Sequence, residues 1–222
     1  MGEGVFRKGE EELNISQRDR VFDRLLFASG NRNKYGEFLE LLPRCTVKNL
    51  IFAPLLPGTA NIPDVEETGS TYVMNALLKA LAWSAASGLP SIADDSGLEV
   101  EALDWRPGVH SARVSDGGRL LSSDAERNRW LLACMENKVN RRACFVAAVA
   151  LSVPGEWALA CEGMCGGQLA TSETGAHGFG YDPLFIPDGY DISFGELPSS
   201  VKNSISHRAK AVMALLNILK GA

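Results

Sequence analysis

Asp94 and Asp95 stand side by side after a short apolar run, Ile92-Ala93, and are followed by Ser96-Gly97. Adjacent side chains on an extended chain point to opposite faces. One carboxylate of the pair can therefore look into a given cleft, while the other caps, pairs or meets solvent. Two carboxylates at a strand end beside a glycine suit a hard cation and a general base. They equally suit an Asx-type turn in which Asp94 and Ser96 bond backbone amides. Glu66 and Glu67, at the end of a loop rich in proline, glycine and acid, add two more carboxylates. Carboxylates together with a phosphate chain are the usual setting for Mg2+, which keeps several waters and takes few protein ligands. One carboxylate could then deprotonate or orient an attacking water.

The cations break a local rule twice. A positive side chain at a helix N-terminus opposes the macrodipole by about 0.3–1 kcal/mol. Yet Lys34 opens one helical segment, and His207-Arg208 open another directly after Ser206, with Lys202 just ahead. Two such places on strand-to-helix connections predict a shared polyanion, which amides, dipole and cations would satisfy together. Ser29-Gly30-Asn31-Arg32-Asn33-Lys34 is a glycine turn of that kind, although its spacing is not that of a P-loop. Asn75 and Lys79, four apart, share a helix face. In His177-Gly178-Phe179-Gly180-Tyr181-Asp182-Pro183 the two aromatics either stack on a base, worth about 1–3 kcal/mol, or fill a core. These residues together point to a Mg2+-dependent phosphohydrolase of a nucleotide.

These groups hang on a chain whose hydrophobic pattern alternates strands and helices. Residues 25–28 read as a buried strand, followed by a helix with Phe38, Leu39, Leu41 and Leu42 inward, stopped by Pro43. A second strand covers 47–52. A helix capped by Ser70 or Thr71 runs to about Ser87, with Met74, Leu77, Leu78 and Leu81 as its apolar contacts. Residues 124–138 form a helix with Trp130, Leu131 and Cys134 inward. The apolar run 143–153 is a strand buried on both faces, turned by Pro154-Gly155 into a partner at 157–161. Gly163, Gly166, Gly167 and Gly175 then loosen the chain. A last helix, 206–220, turns Val212, Leu215, Leu216 and Leu219 to the core. The pattern is that of an α/β fold with a mixed sheet.

With 222 residues, 45% hydrophobic and 22% charged, the chain can bury a real core as one large domain or two small lobes. A net charge of −5 argues against a general nucleic-acid binder. The five cysteines are odd in number and form no CxxC pair, so buried free thiols in a reducing, cytoplasmic setting are expected. Neither a signal peptide nor a spanning helix is visible, so no membrane partner is expected. Residues 1–20 are expected to be a disordered N-terminal extension to a single domain, 21–222.

Four blocks, in order, resemble the Ham1/RdgB family of inosine/xanthosine triphosphate pyrophosphatases. They are Ser29 to Lys34; Thr71-Tyr-Val-Met-Asn75-Ala-Leu-Leu-Lys79-Ala80; Ala93-Asp-Asp-Ser-Gly-Leu98 with Pro107-Gly-Val-His-Ser-Ala-Arg113; and Gly178-Phe-Gly-Tyr-Asp-Pro183 with Lys202-Asn-Ser-Ile-Ser-His-Arg208. The resemblance implies hydrolysis of ITP, dITP and XTP to the monophosphate and pyrophosphate. It implies Asp95 as proton acceptor and Mg2+ ligand, with Glu66 as the second metal carboxylate. Ser29, Gly30, Asn31, Arg32, Asn33 and Lys34 would wrap the phosphates, with Lys79 beside them. Asn75, Ser96, Phe179, Gly180, Tyr181, Asp182, Lys202, His207 and Arg208 would bind the nucleotide. It further implies an elongated two-lobed α/β fold, a long mixed sheet with flanking helices, an active-site cleft between the lobes, and a homodimer. Ser29 replaces a usual Thr, Met74 a frequent Glu, and Thr174-Gly175 an Arg-Gly. Two alternatives are a Maf-type pyrophosphatase of the same architecture and a nucleotide sensor without turnover; intact Asp95, Glu66 and Lys34 argue against the sensor.

Overall fold

The computed structural model describes residues 4–6, 21–55 and 65–221. Leu25, Leu26 and Phe27 are buried in succession, which suits a strand covered on both faces. This strand, β2 (Leu25–Phe27), follows β1 (Gly4–Phe6) and leads into α1 (Arg32–Leu41). β3 (Leu50–Phe52), α2 (Tyr72–Ser87) and β4 (Ser91–Val100) come next. Then follow β5 (Arg106–Pro107), β6 (Ser115–Asp116), β7 (Arg119–Leu120), α3 (Asp124–Cys134), β8 (Arg142–Val153) and β9 (Trp157–Leu169). β10 (Phe185–Pro187), α4 (Ser199–Ile205) and α5 (His207–Leu219) complete the order. The sheet runs β1-β9-β8-β4-β2-β3, with β10 also on β9 and β5 also on β4. β2 pairs in parallel with β3 and β4, whereas β1 and β10 meet β9 antiparallel. It is the mixed α/β sheet expected. β1 pairs with Ala158–Ala160, and the rest of the N-terminal extension lies outside the described residues.

The chain divides into two compact units, one of Met1–Asp95, Ala147–Gly163 and Arg208–Ala222, the other of Ser96–Val146 and Met164–His207. The first has its own core, in which Phe27, Phe38 and Ile92 join Val149 and Leu151 of β8 and Val212, Leu215 and Leu216 of α5. The second closes around Leu98, Leu131, Phe145, Tyr181, Phe185 and Phe194. Strands β4, β8 and β9 each begin in one unit and end in the other.

Several local expectations are corrected. Asp94-Asp95-Ser96-Gly97 is no turn: β4 runs through it for ten residues, eight of them buried. The segment is extended and the Asp94 carboxylate is taken by Lys34 and Arg208, so it closes no Asx-type turn. On α2 the buried residues are Tyr72, Asn75, Ala76, Leu77, Ala80 and Ser84, whereas Met74, Leu78 and Leu81 are exposed. The helix is rotated so that Asn75 faces inward, and alanines four apart let it lie close. Leu39 of α1 is likewise exposed, leaving Phe38 as the buried residue of that helix. Gly163, Gly166 and Gly167 do not loosen the chain but lie within β9; a Cβ on Gly167 would collide with the Ile186 carbonyl oxygen of the adjacent β10. The final helix is found as α5, and a further short helix not expected from the sequence, α4, precedes it, the two separated at Ser206 by an extended backbone. All five cysteines are free, but only Cys161 and Cys165 are buried. Among the described residues no helix is long and apolar enough to cross a membrane.

The site helix α2 starts on Thr71, whose hydroxyl accepts the Met74 N–H at 3.2 Å, and stops on Gly88 at φ 67°. Thr71→Ala is expected to lower stability by about 1 kcal/mol, which is roughly 2–4 °C in Tm for a chain of this size. Calorimetry that found no drop would show that the cap does not support the helix.

Candidate active site

In the first unit the alternation of β4 sends the two aspartates to different partners. The Asp94 carboxylate is fully buried and ion-pairs with Lys34 on one oxygen and with Arg208 Nε at 3.0 Å on the other. Arg208, also buried, pairs in addition with Glu37 of α1. Burial works against the Asp94 charge, but Arg208 and Lys34 hold its carboxyl well below the usual carboxylate range. Burial likewise opposes the Arg208 charge, and Asp94 and Glu37 outweigh it, keeping the guanidinium firmly protonated. Lys34 is pushed down by burial despite the opposing pull of Asp94. The two cations at helix starts are therefore neutralised from within the protein by Asp94, a partner the charge pattern alone did not identify.

Asp95 has a different environment. Asn75 Nδ2 donates to its Oδ2 at 2.9 Å, and Lys79 Nζ stands 3.6 Å from its Oδ1. The same ammonium donates to Glu67 Oε1 at 2.5 Å and to the Asp94 carbonyl at 2.8 Å. Asn75 Oδ1 in turn accepts the Gly69 N–H at 2.8 Å; a Cβ on Gly69 would sit 2.6 Å from that oxygen. This latch ties residues 67–69 to α2. Burial pushes the Asp95 carboxyl up, Lys79 and Asn75 pull it down, and Glu67 adds to the rise; the net shift is upward. Asp94 and Asp95 are thus moved in opposite directions by their surroundings.

Glu66 is exposed, and the structure brings its neighbour Glu67 to Lys79 instead. Among the described residues no three His, Cys, Asp or Glu side chains gather as a protein-only metal cage. Two carboxylates around one ammonium are still a fitting donor set for Mg2+, which takes one or two carboxylates and completes its shell with phosphate and water. In the glycine turn, Asn31 Oδ1 accepts the Asn33 and Lys34 N–H groups at 2.9 and 3.1 Å, and Ser29 Oγ accepts that of Asn31 at 3.2 Å. Gly30 to Asn33 are exposed, while Lys34 turns in to Asp94.

In the second unit Phe179 N–H donates to Asp182 Oδ2 at 2.8 Å, and Lys202 Nζ donates to the same oxygen at 2.5 Å. Lys202, from the unforeseen helix α4, lies 4.9 Å from the centroid of the half-buried Phe179 ring. Tyr181 is buried, and its hydroxyl donates to the Ser111 carbonyl at 3.0 Å. Burial pushes that phenol well above its usual value. Phe179 is therefore the aromatic that keeps an open edge, and Tyr181 anchors the loop. His207 is buried and stacked on Phe145, with centroids 4.7 Å apart and planes 9° apart. Ser96 lies in β4 directly after Asp95. Thr174, in place of the Arg common in the family resemblance, fastens its loop by an Oγ1 contact of 3.0 Å with Ser193 Oγ. Glu37, Ser111 and Asp124 were not singled out as site residues by sequence reasoning, and Glu67 was named beside Glu66 without being given a role of its own. For Glu67 the alternation of an extended segment was the available signal; for the other three the partners lie far away in sequence.

Residues 25–218 match the Ham1 family. A dITP/XTP pyrophosphatase of Deinococcus deserti is 42% identical over 97% of this chain and 92% of its own length. One from Aquifex aeolicus is 40% identical over 89% of this chain and 96% of its own. Among solved structures, the Staphylococcus aureus Ham1 protein superposes with a TM-score of 0.75 at 36% identity, covering 90% of this chain and 99% of that one.

Asp94→Asn is expected to destabilise the protein by about 3–5 kcal/mol at pH 7, because it leaves buried cations short of a counter-charge. A carboxyl whose folded pKa is depressed contributes stability above its unfolded value, about 3.9, and loses it as pH falls through the folded one. The gap between wild type and variant in urea unfolding should therefore be constant above about pH 5 and narrow below pH 4. A gap that did not change with pH would refute the ion-pair account.

Proposed function

The chain belongs to the Ham1 family, and on that premise we propose that it hydrolyses non-canonical purine nucleoside triphosphates (dITP, ITP and XTP) to the nucleoside monophosphate and pyrophosphate. The observation that carries this reading is the Asp95 environment: a buried carboxylate of raised pKa, held by Asn75 and flanked by Lys79 and Glu67. A base with a carboxyl raised toward neutrality accepts a proton more readily than an ordinary surface carboxylate. Asp95 takes the proton of a water as its oxygen bonds to the α-phosphorus. The bond from that phosphorus to the bridging oxygen breaks, and pyrophosphate leaves. Lys79, freed from Glu67 or shared with it, offsets charge on the phosphate. Asp95 and Glu67 would hold Mg2+, which when bound supplies Lewis-acid neutralisation of the phosphate oxygens. The turn 29–34, exposed at residues 30–33, is assigned to the phosphates, and Phe179, with Asp182 and Lys202 behind it, to the base. A 6-oxo purine offers an acceptor where adenine has a donor, so an N–H donor can read it. The same reading takes the protein as a cytoplasmic homodimer with no nucleic-acid or membrane partner.

Purified protein with Mg2+ is expected to release pyrophosphate from ITP and XTP far faster than from GTP or ATP. Orthophosphate as the first product would overturn the reaction type, and equal turnover of ATP the substrate class. Asp95→Asn is expected to retain nucleotide binding and lose hydrolysis by at least about 100-fold. A carboxyl whose folded pKa is raised subtracts stability once ionised, so the same variant should also melt at a higher temperature. Normal turnover by Asp95→Asn would remove it from the role of base.

A further inference from the structure

Asp124 has no part in the chemistry above, yet it reaches the loop that carries Phe179. It is the first residue of α3, a helix already capped by the reciprocal Ser123–Glu126 box, so its carboxylate is not needed as a cap. Its Oδ2 accepts the Gly180 N–H at 2.7 Å, and its Oδ1 accepts from Arg127 Nη2 at 2.5 Å. Arg127 is itself fixed by donating from Nη1 to the Leu121 carbonyl at 2.9 Å. One turn further along, Asn128 Nδ2 donates to Glu173 Oε2 at 3.1 Å. The same helix face thus grips the segment 173–180 at two points. Gly178 and Gly180 both have positive φ, 75° and 63°, so the loop has wide conformational freedom unless its amides are tied. The two amides around Phe179 are tied by different carboxylates: its own by Asp182, the next by Asp124.

We propose that Asp124 is a positioning residue for base recognition, holding the Phe179 ring in place for stacking by anchoring the Gly180 amide. This rests on the reading that Phe179 contacts the base. Asp124 then acts on substrate affinity through the loop and does not touch substrate or the reacting phosphate. Asp124→Asn keeps an oxygen acceptor for the Gly180 N–H, whereas Asp124→Ala removes it.

The test measures kcat and KM for ITP, and inhibition constants for inosine monophosphate and for imidodiphosphate, in Phe179→Ala, Asp124→Ala, Asp124→Asn and the Phe179→Ala/Asp124→Ala double variant. Asp124→Ala should raise KM and the inosine monophosphate constant roughly tenfold, within the range expected of a lost base–aromatic stack. It should leave kcat and the imidodiphosphate constant within about twofold of wild type, because those report on the phosphate end. Asp124→Asn should recover most of the loss, and the double variant should be no worse than Phe179→Ala alone. Unchanged affinities in Asp124→Ala, equal loss of imidodiphosphate binding, failure of Asn to rescue, or additive losses would each overturn the positioning role. If Phe179→Ala itself left KM unchanged, the assignment of the loop to the base would fall, and the role of Asp124 with it.

Discussion

The buried carboxylate of Asp94 between Lys34 and Arg208 is the constraint on which the first unit depends. A lone buried carboxylate would cost several kcal/mol. Here two cations from α1 and α5 meet it, and Glu37 balances the second cation, so the cluster holds two charges of each sign. The result ties three elements distant in sequence, α1, β4 and α5, to one point. It also explains why Lys34 and Arg208 sit at helix starts, where the dipole disfavours them by a fraction of a kcal/mol. A direct pair with a buried anion outweighs that penalty.

Because β4 is extended, pinning Asp94 on one side settles the direction of Asp95 on the other. The neighbouring carboxylates then diverge in chemistry although they share one sequence context. Asp94 has two full positive charges against it and remains ionised. Asp95 has one amide and an ammonium 3.6 Å away that is closer to Glu67, so desolvation prevails and its pKa rises. A residue that stabilises structure and a residue suited to take a proton are thereby made from the same dipeptide. The second is supported by the first, because the Asp94 cluster adds a charged tie between β4, α1 and α5 to the apolar packing of Ile92 with Phe38 and Val212.

Much of the fold was legible from the chain. β2, β8, the two caps of α2 and the four inward residues of α5 follow from periodicity and terminal signals. What could not be read was the partner of each polar group. Cations at Lys34 and Arg208 pointed to a shared polyanion; within the protein the anion that meets both is Asp94, 60 residues from one and 114 from the other. The acids and glycines of 94–97 looked like turn chemistry because their strand partners are equally remote. Met74, Leu78 and Leu81 looked like a core stripe, but Asn75 has a carboxylate to bond, and the helix turns that polar residue inward.

The same limitation recurs in a regular form at three places. Asp94/Asp95, Glu66/Glu67 and Phe179/Tyr181 are each pairs in which residue type identifies the chemistry and leaves open which member performs it. For the adjacent acids alternation says that the two diverge, and for the aromatics, two residues apart, it says nothing; in each case a tertiary partner decides. For the acids the partners are Lys79 and Asn75 on α2. For the aromatics the partner is the Ser111 carbonyl, which takes the Tyr181 hydroxyl, while Ser111 Oγ accepts the Leu98 N–H of β4 at 2.8 Å. Tyr181 is thus fastened through Ser111 to β4. A hydroxyl is what distinguishes the two rings: it gives Tyr181 a buried acceptor to reach and so draws it inward, leaving Phe179, which has no such handle, as the ring that stays partly open.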